Sequence, residues 1–182
     1  MAAITELMIE RDDDFWVFGY GSLMWRPGFD YLEKQQARLF GYHRAFCNYS
    51  WYHRGSQEAP GLVLGLDRGG SCIGTAYRIA TSDIEGVIAY LDAREMVTAV
   101  YQPITSRVHM GQSKVRARTY ITDRTHPQYA GKLPYEEQAD IIRHGVGHSG
   151  INTDYLASTV AHLDELGIHD APLKAVHDLV FD

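Results

Sequence analysis

In the stretch TSDIEGVIAYLDAREM (81–96), Ile84, Ile88, Leu91 and Glu95 recur at helical spacing. At about 100° per residue these four positions fall within an arc of about 60°, with Arg94 well off it. A helix that reaches residue 95 therefore carries a carboxylate in the middle of its apolar stripe. There the charged form is disfavoured and the pKa rises, which is the tuning of a general acid/base that works near neutral pH. A helix that frays by residue 93 instead leaves Glu95 in solvent.

A second stretch, YGSLMW (20–25), sets a Gly-Ser turn directly against Leu23, Met24 and Trp25. A glycine between strand and turn lets backbone N–H groups converge on a carbonyl or anionic oxygen. The same spacing also fits a tight turn or bulge whose Leu23 and Trp25 return to the core. No Gly-Lys-Ser/Thr follows, so it is not a phosphate loop. Ser22 lacks the Gly-x-Ser-x-Gly setting of an esterase nucleophile. His144 and His148 stand four apart, but Gly145 and Gly147 between them work against one helical face, and no metal site is expected. Cys47 and Cys72 read as small buried residues rather than reactive thiols.

The elements that must position these residues are legible by period and punctuation. FWVFGYG (15–21) has the aromatic and β-branched content of a buried strand. ARLFGYHRAFCNYSW (37–51) is strand-rich and broken by Gly41. In GLVLGLDRGGSCIGTAYRIA (61–80), two β-prone arms flank Asp67 to Gly70, which predicts a hairpin. PITSRVHM and VRARTYITD alternate on either side of Gly111 and predict another. Helices are expected over 81–96, over 134–145 with Pro134 in the first turn, over 152–167 ending at Gly167, and briefly after Pro172. Strands first and helices later make the fold class α+β, with the strands in a small sheet or barrel.

The chain has 182 residues, the size of a single domain, and carries a net charge of −6. With no Lys/Arg run it is a poor partner for nucleic acid. No segment has the roughly 20 apolar residues of a membrane span. The acidic opening MAAITELMIERDDD lacks the pattern of a secretory signal, and residues 1–14 read as a flexible acidic arm before one domain over 15–182. Two cysteines without a C-x-x-C suit reduced thiols and a cytoplasmic location, with one disulfide as the alternative.

Four segments in order, YGSLMWRPGF, PGLVLGLDRGGSCIGTAYRI, YLDARE and GHSGINTDYLASTVAHLDELGI, resemble the ChaC group of γ-glutamylcyclotransferases across residues 15–180. The resemblance implies a small mixed β-barrel with flanking helices and cleavage of the small molecule glutathione to 5-oxoproline and cysteinylglycine, without metal or cofactor. It casts Glu95 as the acid/base, Tyr20, Gly21, Ser22 and Leu23 as the cradle of the γ-glutamyl group, and Tyr101, Tyr120 and Tyr155 as pocket tyrosines. Arg54 and Arg26 are candidates to hold the glycine carboxylate. The chain departs from the group's pattern at Ala99-Val100, where many relatives place Gly-Gly before the tyrosine matched by Tyr101, and at His148, where relatives often have Pro in Gly-Pro-Ser-Gly. Turnover of another γ-glutamyl peptide or amine, or binding of such metabolites without turnover, are the alternatives; oligomeric state is not encoded in these motifs.

Overall fold

Trp16, Val17 and Phe18 are consecutive and all at most 1% exposed. A strand buried on both faces needs cover on both, and the interior of a closed barrel covers one of them. In the computed structural model, which describes the backbone of residues 9–182 and side chains from Asp14 onward, this strand is β1 (Ile9–Gly19). The other long strands are β2 (Glu33–Ser50), β3 (Gly61–Ile79), β4 (Tyr101–Met110) and β5 (Ser113–Thr122). They close in the order β1-β3-β2-β4-β5. β1 pairs antiparallel with β3, from Phe15 opposite Ile79 to Gly19 opposite Thr75, and parallel with β5, so the barrel is mixed, as expected.

The hairpin predicted within 61–80 does not form. β3 runs unbroken through Gly69 (φ 101°) and Gly70 (φ 69°). The reason lies in the strand order: β3 has β1 on one side and β2 on the other, so neither arm is left to pair with its own continuation. The glycines supply positive φ, as read, but inside a strand. Gly41 (φ 87°) is likewise absorbed within β2 rather than breaking it. The second hairpin does form: β4 and β5 are neighbours, joined through Gly111-Gln112. Gly111 has φ 58°, which only a residue without Cβ adopts freely.

The described chain divides into two compact units. The first comprises residues 9–43, 68–94 and 103–119; the second comprises 44–67, 95–102 and 120–182. Trp16, Phe18, Leu39, Tyr77, Val108 and Ala117 form the interior of the first, which also holds all of helix α1 (Ile84–Glu95) but its last residue. In the second, α2 (Tyr135–His144), α3 (Asn152–Glu165) and α4 (Ala171–Phe181) pack on one another through Ile142, Leu156, Leu163, Leu173 and Val176. A two-stranded hairpin, β6 (Val146–Gly147) and β7 (Gly150–Ile151), stands between α2 and α3 in sequence.

Helix ends differ from the sequence reading by a residue or two. Pro134 is the N-cap of α2 rather than its first helical residue. α4 starts before Pro172, because Asp170 caps it by accepting from the Leu173 N–H. Of the expected N-terminal arm, residues 1–8 lie outside the described residues, and Ile9 to Asp14 form the start of β1. No helix among the described residues is long and apolar enough to cross a membrane.

Candidate active site

The first unit contains the Tyr20–Leu23 segment. β1 ends at Gly19, and Ser22–Met24 wind into one 3-10 turn, with the Met24 N–H donating to the Gly21 carbonyl at 2.9 Å. Leu23 (6% exposed) and Met24 (4%) return to the core, whereas Trp25 stays half-buried. The turn is pinned from below by the Tyr77 hydroxyl, 2.9 Å from both the Leu23 and the Met24 carbonyls. From the side it is held by Arg94, whose Nη2 donates to Ser22 Oγ at 2.6 Å and whose Nη1 donates to the Arg26 carbonyl at 3.0 Å. The leading N–H groups of such a turn, at Gly21, Ser22 and Leu23, have no acceptor inside it. A core-anchored turn that presents backbone donors is chemically suited to a carbonyl oxygen that gains charge. The structure thus shows the tight turn that reinserts, through Leu23 and Met24 rather than Trp25.

The second unit contains Glu95, Tyr101, Tyr120 and Tyr155. α1 persists through residue 95, so the helix does not fray at 93, and Glu95 is half-buried as its last residue. Tyr101 and Tyr155 meet at the main chain of Leu64. The Tyr101 hydroxyl donates to the Leu64 carbonyl at 2.7 Å, and the Leu64 N–H donates to the Tyr155 hydroxyl at 3.2 Å. Burial pushes the Tyr101 phenol well above its ordinary pKa, and the neighbouring Tyr155 and the Glu95 carboxylate push it the same way, while the Asn48 side chain opposes them through a hydrogen bond. Tyr101 therefore stays a neutral hydrogen-bond donor within the influence of Glu95. Tyr120, in β5, is a core ring at 2% exposure.

Around this pair lies a buried polar layer that sequence reasoning missed. Asn48 Nδ2 donates to Thr122 Oγ1 at 3.0 Å, and Cys47 Sγ is 3.5 Å from the same oxygen. Gly65 makes room for it, since a Cβ there would fall 2.2 Å from Thr122 Oγ1 and 2.6 Å from Asn48 Nδ2. Asp67 (5% exposed) takes Arg124 Nε at 2.7 Å and the Tyr129 hydroxyl at 2.9 Å. Both cysteines are free and buried, and burial pushes the Cys47 thiol up to about 12. The available signal was the polar Asn48 inside the otherwise apolar AFCN of β2. Arg94, read only as lying off the apolar stripe, carried no such signal.

Of the two candidate cations, Arg26 is exposed in the first unit. Arg54, in the second, lies 5.3 Å over the Tyr155 ring and donates to the Ile151 carbonyl at 3.1 Å. The β6–β7 hairpin holds its neighbours: the His148 N–H donates to the Tyr52 carbonyl, the Ser149 N–H to the His53 carbonyl, and the His148 ring stacks on Tyr52 at 4.9 Å. The departure at His148 thus falls on the segment that supports Arg54. His144, exposed on α2, hydrogen-bonds the Asp140 carbonyl and shares no partner with His148.

Comparison with known proteins places these features in a family. The family model described as ChaC-like protein matches residues 15–182. The glutathione-specific gamma-glutamylcyclotransferase of Escherichia coli is 36% identical over 95% of this chain and 76% of its own. The human glutathione-specific gamma-glutamylcyclotransferase 1 is 33% identical over 91% of this chain and 78% of its own. The crystal structure of a yeast gamma-glutamyl cyclotransferase specific to glutathione superposes with a TM-score of 0.83 at 24% identity, over 92% of this chain and 95% of that one, and so has the same fold. By its sequence, and with the fold to match, this chain belongs to the family of ChaC-like proteins.

Proposed function

We propose that the protein is a glutathione-specific γ-glutamylcyclotransferase that converts glutathione to 5-oxoproline and cysteinylglycine. Curated relatives from bacterium and human carry that activity in their names at 36% and 33% identity. The observation that carries the reading on this chain is that Glu95 ends α1 half-buried and disfavours ionisation of Tyr101, a half-buried tyrosine whose hydroxyl donates to the Leu64 carbonyl.

The chemistry needs few groups because the substrate brings its own nucleophile. The α-amine of the γ-glutamyl unit attacks the γ-carbonyl carbon, a tetrahedral intermediate forms, and the C–N bond to cysteine breaks as the five-membered lactam closes. Ring closure is intramolecular, so correct orientation alone contributes several kcal/mol, on the order of 7–11 in favourable cases. Two protons leave the attacking nitrogen. The ammonium gives one to solvent before attack, and Glu95 takes the second as the ring closes and delivers it to the cysteinyl nitrogen. That nitrogen departs as a neutral amine and regains a proton from solvent, so Glu95 ends in its starting state. Tyr20, Gly21, Ser22 and Leu23 hold the γ-glutamyl group mainly by main-chain donors, which steady the developing oxyanion. Tyr101 and Tyr155, joined through the main chain of Leu64, wall the pocket, and Tyr120 contributes as a core ring. The small-molecule substrate and a cytoplasmic setting, where glutathione is abundant, belong to the same proposal.

The test is 5-oxoproline release from glutathione against release from γ-glutamyl-alanine, in the presence of a chelator. The proposal expects turnover of glutathione and little of the alanine peptide. Preference for γ-glutamyl-alanine would move the substrate elsewhere in the class. Glutathione binding without product would make the protein a binder rather than an enzyme.

A further inference from the structure

A single hydroxyl holds the carbonyl end of the 20–26 turn. Within that turn the Gly21 carbonyl takes the Met24 N–H and the Ser22 carbonyl takes the Arg26 N–H, which leaves the carbonyls of Leu23 and Met24 as the next in line. The Tyr77 hydroxyl, on β3, stands 2.9 Å from each and shares its proton between them. Tyr77 is 1% exposed, and its ring is locked by the edge of Phe29 at 5.6 Å and by Tyr31 at 5.0 Å. A phenylalanine would make the same ring contacts. What tyrosine adds is one polar atom in a cluster of rings, which is costly to bury without partners. β3 meets the start of the turn as well: a Cβ at Gly74 would fall 2.2 Å from the carbonyl oxygen of Gly19, the last residue of β1. One strand therefore holds both the beginning of the turn and its carbonyl end.

In a helical turn the N–H and C=O groups point in opposite directions along the axis, so anchoring the carbonyls turns the leading N–H groups of Gly21, Ser22 and Leu23 the other way. We propose that the Tyr77 hydroxyl is the positioning group of the donor turn. By holding the Leu23 and Met24 carbonyls against β3 it aims those N–H groups at the oxygen that gains charge as glutathione cyclises, a role that rests on the cyclotransferase reading above. Tyr77 itself touches no reacting atom. Arg94 grips Ser22 Oγ and the Arg26 carbonyl at the margins of the turn, whereas the hydroxyl acts on two consecutive peptide units inside it. Because the oxyanion exists only after attack, mis-aimed donors lower the turnover rate more than substrate affinity.

The test compares wild type, Tyr77→Phe and a variant with p-aminophenylalanine at position 77, whose neutral amino group restores a donor on the same ring. kcat and KM for 5-oxoproline release from glutathione are measured beside unfolding midpoints. Tyr77→Phe should lower kcat about 10- to 100-fold, the range for a group misplaced by about 1 Å, with KM within about twofold of wild type. The amino variant should recover most of kcat, since its N–H groups reach the same two carbonyls. A lower unfolding midpoint in Tyr77→Phe with kcat unchanged would confine the hydroxyl to stability and overturn the proposal. So would a rise in KM alone, or an amino variant no faster than the phenylalanine one. Loss of the fold in Tyr77→Phe would overturn it equally, by making the hydroxyl structural. Wild type that binds glutathione and releases no 5-oxoproline would instead overturn the cyclotransferase reading itself.

Discussion

Ala99 has φ 56°, the single positive value outside glycine among the described residues. It lies next to Val100 (1% exposed), whose carbonyl takes the Asp123 N–H at 2.8 Å. An L-residue in this region costs roughly 1–2 kcal/mol, so Ala99→Gly should stabilise the fold by about 1 kcal/mol in denaturant unfolding. A departure from the family pattern noticed in the sequence is thus also a local strain. Arg94 gives a prediction of the opposite kind. Its guanidinium ties Ser22 Oγ, the Arg26 carbonyl and the Tyr90 hydroxyl, so Arg94→Met should loosen the 20–26 turn. Misplacing a donor loop by about 1 Å can cost roughly 100-fold, so kcat/KM should fall 10- to 100-fold with little change in unfolding midpoint. A fall in stability without a fall in activity would show that Arg94 serves packing only. That α1 reaches Glu95 was legible because helical spacing could be computed; the contacts of Arg94 and Asn48 were not, because their partners lie 72 and 74 residues away in sequence.

Helices were readable at the level of elements because their ends are written locally. Asp170 illustrates the strength of such a signal: one carboxylate oxygen accepts from the Leu173 N–H, and the other takes Arg44 Nη1 at 3.1 Å. The Arg44 side chain is only 2% exposed, so the pair is buried as well as a cap. Asp170→Ala should therefore cost more than the usual ~1 kcal/mol of a lost cap. Leaving a buried guanidinium unpaired adds to it, for a total of about 3–5 kcal/mol by chemical denaturation. Asp170→Asn keeps the cap and should recover part of that loss. Strands were less readable. The Asp67–Gly70 run has turn composition, but whether it turns depends on which edges of β3 are already taken, and β1 and β2 take both. Gly111 looks no different in sequence and does turn, since β4 and β5 are each other's neighbours.

Across the whole molecule, barrel class and helix content followed from the order of strand-like and helix-like stretches. The buried polar layer did not, because Asn48, Gly65, Asp67 and Thr122 acquire meaning only once the strands are side by side. Two buried acids, one in each unit, set a pH response. Burial raises the Cys47 thiol from 9.0 to about 12, and burial with Tyr31 nearby raises Tyr77 from 10.0 to about 12. Above pH 9 the unfolded chain gives up these protons while the folded chain keeps them, so unfolding is favoured as pH rises from 9 towards 12. Urea midpoints should fall across that window, and less steeply in Cys47→Ala. A flat profile would mean that the thiol ionises as readily in the fold as outside it.

The central claim is that one carboxylate, Glu95, moves the protons of an otherwise substrate-driven cyclisation. Glu95→Gln keeps the shape and removes the titrating proton. Measured beside wild type for 5-oxoproline release from glutathione in chelator, with unfolding midpoints to establish an intact fold, it should lose about 10²- to 10⁴-fold of activity. Equal product from the two proteins would contradict the account and remove Glu95 from the mechanism.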